Sequence, residues 1–169
     1  MSKPSAKQIV VLEKSGYTIE VLRQILLTGG KENYSAVSAG ITAPPGMSSS
    51  VLLVCDPEYP AEAPGYGACV ADYETACLPG FACLRNLTTY SIDRDSADFT
   101  AKNIRTSQDG ITAFEIVGSG IIGRVRLGPG MHGGVQSALA AASAAVAAGI
   151  PFADVLSALN GIGKIGCPA

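Results

Sequence analysis

The sequence predicts an α/β fold, a single domain whose mixed sheet includes an antiparallel hairpin and is packed by C-terminal helices. Residues 51–55, VLLVC, are a continuous apolar run that is typical of a strand buried on both faces. Residues 99–106 and 111–117 predict two strands joined at Gln-Asp-Gly, where the glycine can adopt the positive φ of a tight turn. Residues 135–148 predict a helix of small side chains that can pack closely on the sheet.

The chain is predicted to begin with a short helix over residues 6–14. Ile9, Val10 and Leu12 would lie near one face of this helix, and Ser15 with Gly16 would end it. We therefore expect an amphipathic helix at this end of the chain.

A second helix is predicted from Thr18, whose hydroxyl can cap the following amides. Its apolar residues recur at helical spacing and include Leu22 and Leu26, and Gly29 with Gly30 would end it. Residues 31–50 are rich in glycine, proline and serine, which predicts a connector. Residues 1–50 are thus interpreted as N-terminal helices with a loop connector, separate from residues 51–169.

The remaining segments predict further elements around the sheet. A helical turn is expected near residues 70–76 and a short strand at residues 88–92. Residues 121–127 alternate as a half-exposed strand would, and a last helix starts after Pro151 and ends at residues 160–161. The predicted common core consists of Leu53, Phe114, Ile116, Val125, Leu127, Leu139 and Leu156.

Composition and charge exclude several classes of protein. The formal net charge is -2 and the 12 basic residues are scattered, so no electrostatic footprint for nucleic acid is present. No apolar stretch approaches the roughly 20 residues that span a bilayer. We expect a protein without nucleic-acid or membrane partners, in a cytoplasmic or organellar soluble compartment.

The cysteines and acidic residues do not predict a metal site. The five cysteines contain no C-x-x-C pair, and the chain has one histidine, which favours thiols in a reducing compartment over a zinc site. Cys69, Cys77 and Cys83 lie in an irregular stretch where oxidation could bring them together. Two acidic clusters, at residues 93–98 and 56–58, are interpreted as solvated turn residues.

Three segments, in the same order, resemble the closing part of the central domain of Mur ligases. VLLVCDPEYP resembles the strand before the family's N-A-D-D-P turn, and residues 88–118 resemble its T-Y-G-I-D, A-D-F-x-A-x-N-I and D-G-x-x-F stretch. SALAAASAAVAAGIPFADVLSALNGI is similar to the family's last pair of helices. The most similar type is the ligase that adds diaminopimelate or lysine to the muramyl peptide. The resemblance implies an ATP-dependent amide ligase fold over about residues 51–162.

The phosphate-binding loop that this resemblance requires is not recognisable in the sequence. The family's T-G-T-N-G-K-T holds ATP phosphates on glycine amides and aims its lysine at them. The candidate at residues 27–33, LTGGKEN, has Ile25 in place of the first glycine and Glu32 in place of the metal-binding hydroxyl. It also follows a predicted helix rather than a strand, so we interpret Lys31 as solvated beyond a helix end.

The family's adenine-side motif is also altered in this chain. H-N-x-x-N-A falls on residues 133–138, where Gly134 and Ser137 replace the two asparagines and His132 is one place out of register. The glycine-rich connector could still form a ligand rim, whose candidate residues are Gly130, His132, Gly133, Gly134 and Ser137.

These features favour a non-catalytic, Mur-ligase-like domain that acts as a binding or assembly module, with no catalytic residues, metal or cofactor. Two alternatives remain: an accessory subunit of an ATP-dependent amide ligase acting on peptidoglycan precursors, and a small-molecule-binding regulatory domain. A homo-oligomer or a protein partner is expected, because a domain without its neighbours exposes apolar surface. The predicted contact residues are Ile9, Leu12, Leu22 and Leu26.

Overall fold

An eight-stranded mixed sheet organises the structure, a computed structural model that describes residues 7–39, 46–56, 65–81, 86–118, 120–131 and 133–162. In chain order the strands are β1 (Lys7–Leu12), β2 (Tyr34–Ser38), β3 (Val51–Val54), β4 (Ala68–Asp72), β5 (Leu87–Ser91), β6 (Phe99–Thr106), β7 (Thr112–Gly118) and β8 (Ile121–Leu127). The helices are α1 (Tyr17–Thr28), the single turn α2 (Tyr73–Ala76), α3 (Gly134–Ala147) and α4 (Phe152–Ile162), with a 3-10 turn at Pro79–Phe81.

The strand order is β2-β1-β3-β4-β5-β6-β7-β8. Neighbours from β2 to β6 are parallel, whereas β6, β7 and β8 form an antiparallel meander. The C-terminal helices α3 and α4 pack on one face of this sheet together with α1. The predicted fold class is confirmed.

The predicted first helix is wrong, because the chain forms β1 there. Its four residues Ile9, Val10, Val11 and Leu12 are buried. β1 lies between β2 and β3, and its alternate side chains enter the cores on the two faces of the sheet. Four consecutive apolar residues suit a strand covered on both sides, whereas a surface helix would need polar positions among them.

The predicted connector contains an edge strand, β2, which pairs in parallel with β1. Helix α1 ends as predicted, with the amide of Gly29 donating to the carbonyl of Ile25 and the amide of Gly30 donating to the carbonyl of Leu27. Strands β1 and β2, which come from the first 50 residues, therefore belong to the same sheet as strands β3 to β8.

The larger core lies between the sheet and helices α1, α3 and α4. Six of the seven predicted core residues are buried in it, and Leu156 is half-buried against it. Leu156 lies over Gly123 of β8, where an added Cβ would come within 2.2 Å of the leucine side chain. The smaller core on the opposite face comprises Val10, Leu12, Leu52, Val54, Cys69, Ala71 and Phe81.

The meander β6-β7-β8 follows the sequence pattern. Gly110 adopts φ +80° at the predicted turn, and in β8 Val125 and Leu127 are buried while Arg124 and Arg126 are exposed. The helical turn predicted at residues 70–76 is observed only from Tyr73, as α2, because residues 70–72 belong to strand β4. In the described ranges no helix combines the length and the apolar character that crossing a bilayer requires.

Candidate functional site

The carboxyl ends of β1 and β3 form the topological switch point of the sheet. After β1 the chain passes through α1 to β2 on one side of β1, and β3 lies on its other side. Open α/β sheets bind ligands outside the carboxyl ends of strands at such a point. Residues 13–16, between β1 and α1, therefore occupy the position where a ligand-binding site is expected.

This segment has the strand–loop–helix arrangement of a phosphate-binding loop. When Gly16 is aligned with the second glycine of T-G-T-N-G-K-T, Thr18 matches the threonine, but Glu13 stands at the first glycine and Tyr17 at the lysine. The sequence alone predicts the candidate loop at residues 27–33, since a helix over residues 6–14 leaves no strand in front of residues 13–16. The sequence signal for the loop at residues 13–16 is the apolar run of residues 9–12, which is followed by Gly16-Tyr17-Thr18.

The carboxylate of Glu13 occupies the N-terminus of α1. Its Oε1 accepts a hydrogen bond from the amide of Ile19 at 2.8 Å, and its Oε2 accepts one from the amide of Thr18 at 3.2 Å. The hydroxyl of Ser15 also donates to Oε2, and Glu13 is only 7% exposed. A phosphate bound in a loop of this kind would accept hydrogen bonds from the same helix-terminal amides. In this chain the Glu13 carboxylate accepts those bonds instead.

The predicted cap at Thr18 is wrong, because its hydroxyl does not bond to the following amides of α1. Gly16 is the N-cap residue, with φ 76° and no side-chain cap, and the carboxylate of Glu13 satisfies the helix amides instead. The hydroxyl of Thr18 donates to Ser137 Oγ at 3.4 Å. The hydroxyl that matches the family's metal-binding threonine is thus directed at α3.

The predicted ligand rim lies beside this segment. Gly130, Gly133 and Gly134 all have positive φ, and Ser137 is buried next to Thr18. A Cβ added at Gly133 would lie 2.0 Å from Ser137 Oγ and 3.0 Å from Tyr17 Cβ, so only glycine permits this approach. The structure brings Gly133 and Ser137 to the N-terminus of α1, while His132 lies outside the described residues.

Lys31 lies at the opposite end of α1 from Glu13. Its Nζ forms an ion pair with Asp154 of α4 at 2.9 Å. The 12 residues of α1 separate the two ends by about 18 Å along the helix axis. Lys31 follows a helix end, as predicted, but it ties α1 to α4 rather than being simply solvated.

Cys55 and Tyr90 adjoin Glu13 at the carboxyl edge of the sheet. The pKa of the Cys55 thiol is raised to about 12, mainly by burial and to a smaller extent by the negative charge of Glu13. Burial and the proximity of Cys55 raise the pKa of Tyr90 well above its ordinary value. Both groups stay protonated at neutral pH, so neither supplies a thiolate nucleophile or a phenolate base.

Two acidic residues of the predicted turn after β5 have structural partners. Asp98 accepts hydrogen bonds from the amide and hydroxyl of Thr89, and Asp95 pairs with Lys102. Over the described part of the chain, no three His, Cys, Asp or Glu side chains come together in a way that could hold a metal ion.

The cysteines are free where the structure describes them. Cys69 is buried, which raises the pKa of its thiol to about 11, while Cys77 is exposed. Cys83, the third member of the predicted thiol group, lies outside the described residues.

The predicted contact residues belong to the interior. Ile9, Leu12 and Leu22 are fully buried and Leu26 is 7% exposed. Because β1 is a central strand and α1 packs against α3 and α4, these side chains stabilise the fold and are not accessible to a partner. The prediction that they form an interaction surface is wrong.

Comparison with known proteins identifies the fold. No family model and no curated protein matches the chain in sequence. Among solved structures, the UDP-N-acetylmuramoylalanyl-D-glutamyl-2,6-diaminopimelate–D-alanyl-D-alanyl ligase from Acinetobacter baumannii matches with a TM-score of 0.67 at 16% identity, over 92% of this chain and 46% of the ligase. A UDP-N-acetylmuramoyl-L-alanyl-D-glutamate–2,6-diaminopimelate ligase matches with a TM-score of 0.65 at 14% identity, over 99% of this chain and 48% of its own.

A third solved structure, a pseudomurein peptide ligase type C from Methanothermus fervidus, matches with a TM-score of 0.61 at 13% identity, over 93% of this chain and 49% of its own. The chain therefore has the fold of part of a Mur ligase and spans about half the length of these enzymes. The resemblance noted in the sequence is confirmed at the level of the fold.

Proposed function

We propose that this chain is a non-catalytic, Mur-ligase-like module that works by binding or assembly, as a homo-oligomer or with a protein partner. The observation that carries the proposal is the Glu13 carboxylate on the amides of Thr18 and Ile19. A ligase of this fold must hold nucleotide phosphates, and the corresponding amides of this chain already hold an anion.

Electrostatics supports the absence of nucleotide binding. A phosphate placed on these amides would meet the charge of Glu13 at close range in a buried place, where like charges repel strongly. Tyr17 stands where the family's lysine would offset that charge. The hydroxyl of Thr18 is engaged with Ser137, which itself replaces one of the family's asparagines. Three separate parts of a nucleotide site are thus altered together.

Titration calorimetry of the full chain with millimolar Mg-ATP tests the proposal. We expect no binding heat, because the phosphate position is filled and the lysine is missing. A site of micromolar affinity would contradict the proposal and favour the alternative, an accessory subunit of an ATP-dependent amide ligase.

Two variants identify the cause of that result. Glu13→Gly combined with Tyr17→Lys restores the G-x-x-G-K-T pattern, and we expect it to bind Mg-ATP measurably. Tyr17→Lys alone keeps the carboxylate and should not bind. Loss of the Glu13 cap costs about 0.5–2 kcal/mol of stability, so a thermal melt should accompany each titration. Equal binding by the single and double variants would show that Glu13 is not the obstacle.

A further inference from the structure

The outer face of the meander β6-β7-β8, opposite the helices, brings together four basic side chains, Lys102, Arg105, Arg124 and Arg126. One cross-strand row contains Lys102, Glu115 and Arg124, and the next contains Arg105, Ala113 and Arg126. A groove of about 420 Å³ lies over these rows and includes Asn103. The protein as a whole has a formal net charge of -2, so this face differs in sign from the rest of the molecule.

A β-bulge places Arg105 on this face. The register between β6 and β7 shifts between Lys102 and Arg105, so that Arg105 rather than Ile104 lies opposite Ala113. Asn103, inside the bulge, has φ 53°, a backbone conformation uncommon for residues other than glycine. Bulges of this kind re-aim side chains and often lie next to functional sites.

Glu115, the acidic residue of the two rows, is already engaged. Asn103 Nδ2 donates to Glu115 Oε2 at 2.8 Å, and Arg124 Nε lies 3.5 Å from Glu115 Oε1. Within the described part of the chain, no carboxylate lies within ion-pair distance of Arg105 or Arg126. The small side chain of Ala113 separates these two guanidinium groups, which leaves an open cationic cleft with an alanine floor.

We infer that this face, which we call the arginine groove (Asn103, Arg105, Ala113, Glu115, Arg124 and Arg126), binds an acidic peptide segment of a protein partner. Guanidinium groups bind carboxylates through paired hydrogen bonds in a fixed geometry. The backbones of Arg105 and Arg126 lie two strand spacings apart, about 9.6 Å. Carboxylates on alternate residues of an extended peptide are about 6.8 Å apart, a spacing that two long arginine side chains can reach by leaning towards each other over Ala113.

Features beside the two arginines favour a peptide over a polyphosphate. Glu115 lies within the groove and would repel a continuous phosphate backbone, whereas a peptide of alternating acidic and apolar residues can place an apolar side chain beside it. The adjoining row of the same face carries Val117 and Ile122, and Ile122 is 70% exposed. A basic end beside an apolar end complements a segment that has both acidic and apolar side chains.

The partner segment must lie across the sheet rather than extend it. The edge of β8 is capped by Asn160 of α4, which accepts from the amide of Arg126 and donates to the carbonyl of Arg124, both at 2.9 Å. These bonds use the backbone groups that an added strand would need at this point. Recognition therefore depends on side chains, and on the two arginines above all.

The test uses the full chain and a fluorescein-labelled peptide of alternating glutamate and valine, with its glutamine-for-glutamate analogue as the matched probe. Fluorescence anisotropy at low salt should detect the acidic peptide, with the glutamine analogue bound at least about tenfold more weakly because charge-assisted hydrogen bonds are lost. The double variant Arg105→Gln with Arg126→Gln should show a similar loss. Arg94→Gln, which removes an exposed arginine elsewhere, should bind as the unmodified chain does.

Three outcomes would overturn the inference. One is no binding of the acidic peptide at millimolar concentration, and another is an equal loss in the Arg94→Gln variant, which would indicate a general charge effect. The third is displacement of the peptide by inorganic phosphate at equal concentration, which would indicate a simple anion site. This inference deepens the proposed binding role but does not involve Glu13, so the nucleotide titrations and these peptide measurements can fail independently.

Discussion

Cys55 illustrates how one residue at the carboxyl edge responds to its surroundings. Its thiol neighbours Glu13, Thr18 and Tyr90, and burial raises its pKa from 9.0 to about 12. Because the folded pKa is raised, the unfolded chain releases this proton first as pH increases. The associated stability is fully present below pH 9 and is lost between pH 9 and about 12.

We therefore predict that Cys55→Ala flattens the alkaline pH dependence of stability. Over that interval the free energy of unfolding should fall less steeply in the variant, by up to about 1.4 kcal/mol per pH unit. Urea titrations at several pH values measure the slope. Cys77→Ala, at an exposed cysteine, is the matched control and should leave the slope unchanged. Identical slopes for Cys55→Ala and the unmodified chain would contradict the assignment.

At the scale of elements, α4 holds the antiparallel end of the sheet against the rest of the molecule. It contacts β8, α1 and α3, with Val155, Ala158 and Leu159 buried beneath it. Asn160 caps the edge of β8 and Asp154 pairs with Lys31 of the α1 end. Helix α4 thus connects the antiparallel end of the sheet to α1.

Leu159→Ala should accordingly reduce stability by about 2–5 kcal/mol, because it leaves a cavity at a position with 0% exposure. Chemical denaturation followed by circular dichroism measures the change. Ser157→Ala, on the exposed side of α4, should change stability by less than about 0.5 kcal/mol. A similarly small effect of Leu159→Ala would mean that α4 does not pack on the sheet as described.

At the scale of the whole molecule, the N-terminal segment completes the sheet. β1 pairs with β3 on one side and β2 on the other, and Ile9 and Val11 belong to the larger core with α1. The remainder, residues 51–169, would expose the edge of β3 and the apolar face that α1 covers.

We predict that a fragment of residues 51–169 does not fold cooperatively by itself. Calorimetry should show no unfolding peak, whereas the full chain should show one. Adding a peptide of residues 1–50 should restore the transition by supplying β1 and α1. A cooperative transition in the isolated fragment would support the division at residue 50 that the sequence suggested.

Local patterns were sufficient to predict the C-terminal half of the fold. The hairpin depends on a glycine turn between two strands, α3 depends on its run of small residues, and α4 depends on the helical spacing of its apolar residues. These are properties of neighbouring residues, so β6, β7, β8, α3 and α4 were predicted close to their observed bounds. The resemblance to Mur ligases rested on the same segments and agreed with the fold found by comparison.

Long-range contacts decided the rest. Four consecutive apolar residues can form a buried strand or part of a helix, and only the partners β2 and β3 make residues 9–12 a strand. That assignment then determines what Glu13 does, because its carboxylate reaches the amides of α1 only if β1 ends beside that helix. The bulge that turns Arg105 outward likewise depends on its register with β7. Periodicity reports which side chains are buried, whereas strand pairing and register determine what each polar group meets.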